Sequence, residues 1–258
     1  MTLLASEIVE RFYMFLWPML RISALLVTAP LFSLDALTLP IRIMLAVVVT
    51  ILIYPLVNWP VIDPVTANGV LQIVNQLFIG AMMGLMLQVA TGALTVAGQT
   101  ISSSMGLSMA NMLDPNMGSV PVISQFLVVL GSLIFVGSGG HVILLGLILE
   151  SFHTLPIGTS IFAPESMGLL LRWSSMMFLG AVLMSLPVMV ALLFVNIGVG
   201  VITRAAPSLN IFSIGFPASV AVGFIVLLAF MGSIIGRIDW LWLQGFATVR
   251  ELLGVPRV

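Results

Sequence analysis

Glu150 and His153 stand three residues apart, the Glu-x-x-His spacing that supplies two ligands from one helix of a di-iron site. Such a site needs a second copy of the motif and two further glutamates, and neither is present. With 2 histidines and 0 cysteines, a three-ligand centre would have to recruit carboxylates from distant segments, so no metal or other cofactor is expected. Gly137-Ser138-Gly139 close to His141 raises a second possibility, the serine–histidine pair of an intramembrane protease. The order departs from the usual Gly-x-Ser-Gly turn, and glycines beside a serine in an apolar segment more often serve close helix packing. Asp114 is a candidate proton or cation site, as any ionisable group among apolar segments is. Its neighbour Pro115 favours a turn in which the carboxylate accepts backbone N–H groups. No lysine and no glycine-rich phosphate loop occurs, and no catalytic residue is expected.

The cations carry more information. All 8 positive side chains are arginine, which is weakly hydrated and forks to several acceptors. Arg21 lies inside an apolar run, where burying it costs at least about 3 kcal/mol on insertion scales. It should therefore face carbonyls, a cavity or a partner, or cap a helix within the fold. Arg204, between Asn196 and Asn210, is placed to bind an anion or to tie helix ends together, since C-terminal carbonyls attract a cation.

The elements that must position these residues are apolar. The 258 residues are 60% hydrophobic and 7% charged, with a mean hydropathy of +1.26. This is an integral membrane composition, far from the soluble average of about 25% charged. A net charge of -1 argues against a large nucleic-acid surface. Nothing at the start resembles a cleavable signal, because Glu7, Glu10 and Arg11 precede the first apolar run. About six hydrophobic segments follow: 12–34, 42–57, 70–101, 121–149, 173–202 and 212–235. The third is uncharged and overlong for a bilayer of about 30 Å. Gly80 with Gly84, and Ala93 with Ala97, form small-xxx-small pairs in it. The fourth is interrupted by Gly137-Ser-Gly-Gly140, which predicts a hinge or a helical hairpin, and the fifth contains Pro187, which predicts a kink. Glu150, His153, Glu165 and Arg172 are assigned to a connector, and Trp240 and Trp242 to an interface belt. With six crossings, the distribution of arginines places both termini in the cytoplasm. The fold class is all-α and polytopic, a single domain over residues 1–258 without a soluble part.

Two interruptions stand out. Asn196 to Pro217 sets Arg204 and Asn210 among Gly200, Pro207, Gly215 and Pro217, and reads as broken backbone that must lie in water or against protein. Ser102 to Gly118 is polar yet carries Met105, Met109, Met112 and Met117, adaptable side chains suited either to loop packing or to a movable seal.

In order and spacing these residues resemble the FliR family of type III secretion export-gate subunits along nearly the whole chain. Arg21 with Ala29-Pro30-Leu31-Phe32 is similar to the family's opening, and Gly106 through Asp114-Pro115 to its central loop. Gly140-His141 and Ser151-Phe152 with Leu155-Pro156-Ile157-Gly158 are similar to its middle. Asn196, Gly200, Arg204, Ala206-Pro207, Asn210, Phe212 and Gly215-Phe216-Pro217 form the most specific likeness. The resemblance implies a non-enzymatic, multi-pass subunit of the bacterial inner membrane, in the flagellar basal body. There it would assemble with FliP and FliQ, next to FlhB, into a cone of bent hairpins that passes unfolded flagellar subunits. It also implies that Met105, Gly106, Met109, Met112, Asp114, Pro115, Met117 and Gly118 belong to a plug in the pore. An injectisome gate of the same family, or a small secondary transporter binding solute at broken helices, would be the alternative.

Overall fold

The computed structural model describes residues 5–30, 32, 38–107, 122–159, 164–205 and 211–255, excepting the side chains at 5, 6, 164 and 211–214. It is all-α. The helices are α1 (Ala5–Thr28), α2 (Leu39–Ile53, continued by a 3-10 turn at Tyr54–Leu56), α3 (Ala67–Ser104) and α4 (Val122–Gly137). After them come α5 (Gly140–Thr154), α6 (Pro164–Ala205), α7 (Ile211–Ala229) and α8 (Met231–Leu252). Among the described residues the only β feature is an isolated bridge between Ile157 and Thr159.

Local chemistry sets the helix ends. Thr66 precedes α3 and its Oγ1 accepts the Gly69 N–H at 3.1 Å, an N-cap, while Asp63 Oδ1 takes the Val65 N–H at 2.9 Å in the turn before it. The far end of α3 closes on Gly106 at φ +80°, with Gly106 N–H donating to Ser103 O and Leu107 N–H to Ser102 O, both at 3.0 Å. That is a Schellman cap, and it needs a residue free to take a positive φ.

Three stretches are long and apolar enough to cross a membrane by themselves: Leu39–Leu56, Ala67–Ser104 and Glu165–Ala205. The pairs α4 with α5 and α7 with α8 each meet that test jointly across a short break, giving up to five spans among the described residues. The break between α4 and α5 falls at the expected glycine cluster, where Gly139 has φ +72°. The first of the six sequence segments is α1, which ends at Thr28 and carries Glu7, Glu10, Arg11 and Arg21; it is not among these spans.

One expectation is corrected here. Asn196 to Pro217 is largely helical: α6 runs through Asn196, Gly200 and Arg204 to Ala205, and α7 contains Gly215 and Pro217. Glycine costs a helix about 1 kcal/mol but does not end it, and apolar surroundings oblige the backbone to satisfy itself. Pro207 and Asn210 lie outside the described residues. Glu165 and Arg172, assigned to a connector, sit in the first turns of α6.

The chain forms two compact units. In the first (Met1–Val89, Gly139–Ser174, Leu243–Val258), α1 lies so close to α3 that a Cβ at Gly80 would run into the Arg21 carbonyl oxygen and one at Gly84 into Thr28 Oγ1. Trp17, Ile22, Leu25, Ile79, Met83 and Leu87 fill the core around that crossing. Trp173 is buried there and donates its indole N–H to Met86 O at 2.7 Å. In the second unit (Ala90–Ser138, Ser175–Trp242), α4 crosses α3 where a Cβ at Gly98 would meet the Ser124 backbone. Ser124 Oγ donates to Thr95 O at 3.0 Å, and Gly180 sits against Ala93. Trp242 stacks edge-on against Phe135 at 4.8 Å and donates its N–H to Gly131 O at 3.1 Å. Gly80 and Gly84 thus serve a helix crossing, and Ala93 of the second small-residue pair faces Gly180.

Candidate functional site

The most strongly built polar site lies in the first unit around Arg21, whose side chain is 1% exposed. Helix α1 carries it, and all its partners are neutral. Nε donates to Gln76 Oε1 of α3 at 2.8 Å. Nη1 donates to Ser151 O at 2.7 Å and Ser151 Oγ at 3.1 Å, and Nη2 to Leu155 O at 2.8 Å. The guanidinium carbon stands 4.3 Å from the centre of the Phe152 ring. Ser151 O and Leu155 O lie at the C-terminal end of α5, where the helix dipole favours a cation, so the arginine caps α5 from a different helix. Of the alternatives open from the sequence, the structure chooses carbonyls.

The surrounding shell extends the knot. Gln72 Oε1 accepts the Gly158 N–H at 3.1 Å, and Asn75 Nδ2 donates to Thr159 O, so one face of α3 holds the loop after α5. Trp59 meets Phe152 edge-on at 5.0 Å, stacks on Tyr54 at 6.2 Å and donates its N–H to Tyr54 O at 2.8 Å. Trp59, Phe152 and Pro156 line a cavity of about 370 Å³. Chemically this arrangement holds a cation in place among dipoles.

Sequence reasoning did not single out Gln72, Asn75 and Gln76, which are 5%, 1% and 0% exposed. The signal was present: three amides at spacings of three and one in an otherwise apolar run occupy a single helix face. Gln76 Nε2 and Trp17 Nε1 are buried without a hydrogen-bond partner among the described residues.

The other expected positions fall elsewhere. Pro30 is buried in the turn after α1. Gly140 is buried at the start of α5, His141 is exposed one residue on, and Pro156 is exposed beside the cavity. In the second unit Asn196 Oδ1 accepts from Ser219 Oγ at 3.1 Å, tying α6 to α7. Gly200 and Arg204 are exposed, Gly215 is buried, and Pro217 is exposed in α7. The side chain of Phe212 is not described. Of the residues expected in a plug, Met105 is fully buried over Gly223, where any Cβ would collide with the methionine thioether, and Gly106 packs beside Phe216. Met109, Met112, Asp114, Pro115, Met117 and Gly118 lie outside the described residues. Ser138 Oγ donates to Asp239 Oδ1 at 3.1 Å on an exposed surface, and among the described residues no three His, Asp or Glu side chains gather as metal ligands.

Residues 12–244 match the family described as bacterial export proteins, family 1. The chain is 35% identical over 214 residues to the flagellar biosynthetic protein FliR of Pectobacterium carotovorum subsp. carotovorum, covering 83% of this chain and 82% of that one. It is 33% identical over 243 residues to the protein of the same name from Escherichia coli strain K12, covering 93% and 92%. The Bacillus subtilis strain 168 protein is 30% identical over 257 residues, 98% and 99% of the two chains.

Proposed function

This chain belongs to the FliR family of bacterial export proteins, and we propose that it is a core subunit of the flagellar type III export gate. It is multi-pass in the bacterial inner membrane, within the flagellar basal body. With FliP and FliQ, and next to FlhB, it forms the channel through which unfolded flagellar subunits leave the cell. It acts without catalysis, and the segment from Met105 to Gly118 plugs the pore.

The observation that carries this reading is the size and exposure of the two longest helices. Helices α3 and α6 have 38 and 42 residues, contours of about 57 and 63 Å at 1.5 Å per residue, against a hydrocarbon core of about 30 Å. Along α6, Phe178, Val182, Leu193, Phe194 and Val201 are each more than half exposed. Apolar surface that continues past the bilayer has to be covered by neighbouring subunits.

Native mass spectrometry of the chain, co-expressed with its cognate FliP and FliQ and purified in mild detergent, tests it. One defined hetero-complex is expected. A lone monomer or homodimer that ignores both partners refutes the proposal and promotes solute transport by the isolated chain.

A further inference from the structure

Helix α8 carries Ser233, Arg237 and Trp240 at spacings of four and three, which places them on one helix face, and all three are exposed. Ser233 and Arg237 also line a groove of about 570 Å³ in the second unit. Its other walls are apolar: Leu186, Val190 and Phe194 of α6 and Phe230 at the bend before α8, each more than two-fifths exposed. Pro187 contributes to the same wall and brings no N–H, so the Leu183 carbonyl beside it lacks its helical donor. Among the described residues Arg237 has no hydrogen-bond or ion-pair partner. The neighbouring acid, Asp239, receives Ser138 instead, two residues and more than half a helical turn around α8.

We propose that this groove binds an anionic phospholipid, with an acyl chain along Leu186, Val190, Phe194 and Phe230 and the phosphate at Arg237 and Ser233. Three features of the site fit that occupant. The apolar wall offers a free anion nothing, whereas it offers an acyl chain dispersion contact along four side chains. A lone guanidinium at the rim presents paired N–H donors that match phosphate oxygens. Trp240 stands about one turn beyond it, an exposed indole of the kind that sits among headgroups.

The test uses the full chain, purified in mild detergent, stripped of lipid and titrated with phosphatidylglycerol or with phosphatidylcholine of the same acyl chains. Native mass spectrometry reads retention. Phosphatidylglycerol should be retained about five-fold better, the ratio equivalent to about 1 kcal/mol for one arginine at an anionic surface. Arg237→Gln should abolish the preference while leaving phosphatidylcholine retention unchanged, and Val190→Trp, which fills the groove, should lower both. Equal retention of the two lipids by the unaltered chain overturns the proposal, as does a preference that survives Arg237→Gln. In native membranes, a photo-cross-linker at Phe194 that captures a protein subunit and no lipid overturns it as well. The lipid titration needs no partner subunit, so its outcome is separate from that of the export-gate reading.

Discussion

Replacing Arg21 by methionine keeps the length and apolar stem of the side chain and removes only the guanidinium. Gln76 Oε1, Ser151 O and Leu155 O then lose a donor. Ser151 O keeps the Leu155 N–H at 3.0 Å, so it is not left bare, whereas Gln76 Oε1 and Leu155 O are. A buried acceptor left unpaired costs about 1–3 kcal/mol, less for the part-buried Leu155 O, and the contact with Phe152 contributes about 1 kcal/mol. The variant recovers the cost of burying a charge, which offsets part of that loss. The net expectation is a destabilisation of about 2–4 kcal/mol. For a chain of this size that lowers the melting temperature by about 5–15 °C. Intrinsic fluorescence during heating in mild detergent reads it directly, because Trp17, Trp59 and Trp173 all lie in the unit that holds the knot. Arg21→Lys should lose about half as much, since one ammonium cannot span Gln76 and the end of α5 together. A methionine variant that melts with or above the unaltered chain would show that desolvation cancels the bonds, and the reasoning fails.

Other changes follow from the same geometry. Gly80→Leu forces α1 away from α3 at the Arg21 carbonyl and should reduce detergent-stable protein several-fold, as measured by size-exclusion recovery; full recovery would show that the crossing yields. Gly223→Val should unseat Met105 from its fully buried position and make it oxidisable by peroxide, detected by peptide mass spectrometry; a Met105 still protected refutes the packing. Deleting Met109 to Asp114 should raise the ion conductance of cells carrying the assembled gate while assembly persists, and unchanged conductance counts against the plug.

The sequence disclosed the helical class, the overlong third segment and the hinge at Gly137–Gly140 because each rests on composition or on glycine punctuation. Arg21 announced a constraint through its cost, yet its partners stayed hidden. Two of them are backbone carbonyls at Ser151 and Leu155, and a carbonyl leaves no mark in a sequence. The region from Asn196 misled for a related reason. Gly139 takes a left-handed φ at the break and caps the start of α5, whereas Gly198 and Gly200 keep helical angles inside α6, and residue type alone does not separate the two cases. The amides of α3 were legible as one face, but only once the apolar run around them is taken as a single helix.

The Arg21 knot also sets a timetable. Its partners lie 55, 130 and 134 residues further along the chain. At about 5–20 residues per second, Gln76 is synthesised roughly 3–11 s after Arg21, and Ser151 roughly 7–26 s after it. For that interval a charged helix waits in or near the membrane with one amide as its only native companion, and the last carbonyls of α5 close the site from behind. Synthesis therefore passes through a stage in which some transient host, water, a lipid phosphate or the insertion machinery, must hold the guanidinium until the chain has made its own replacement.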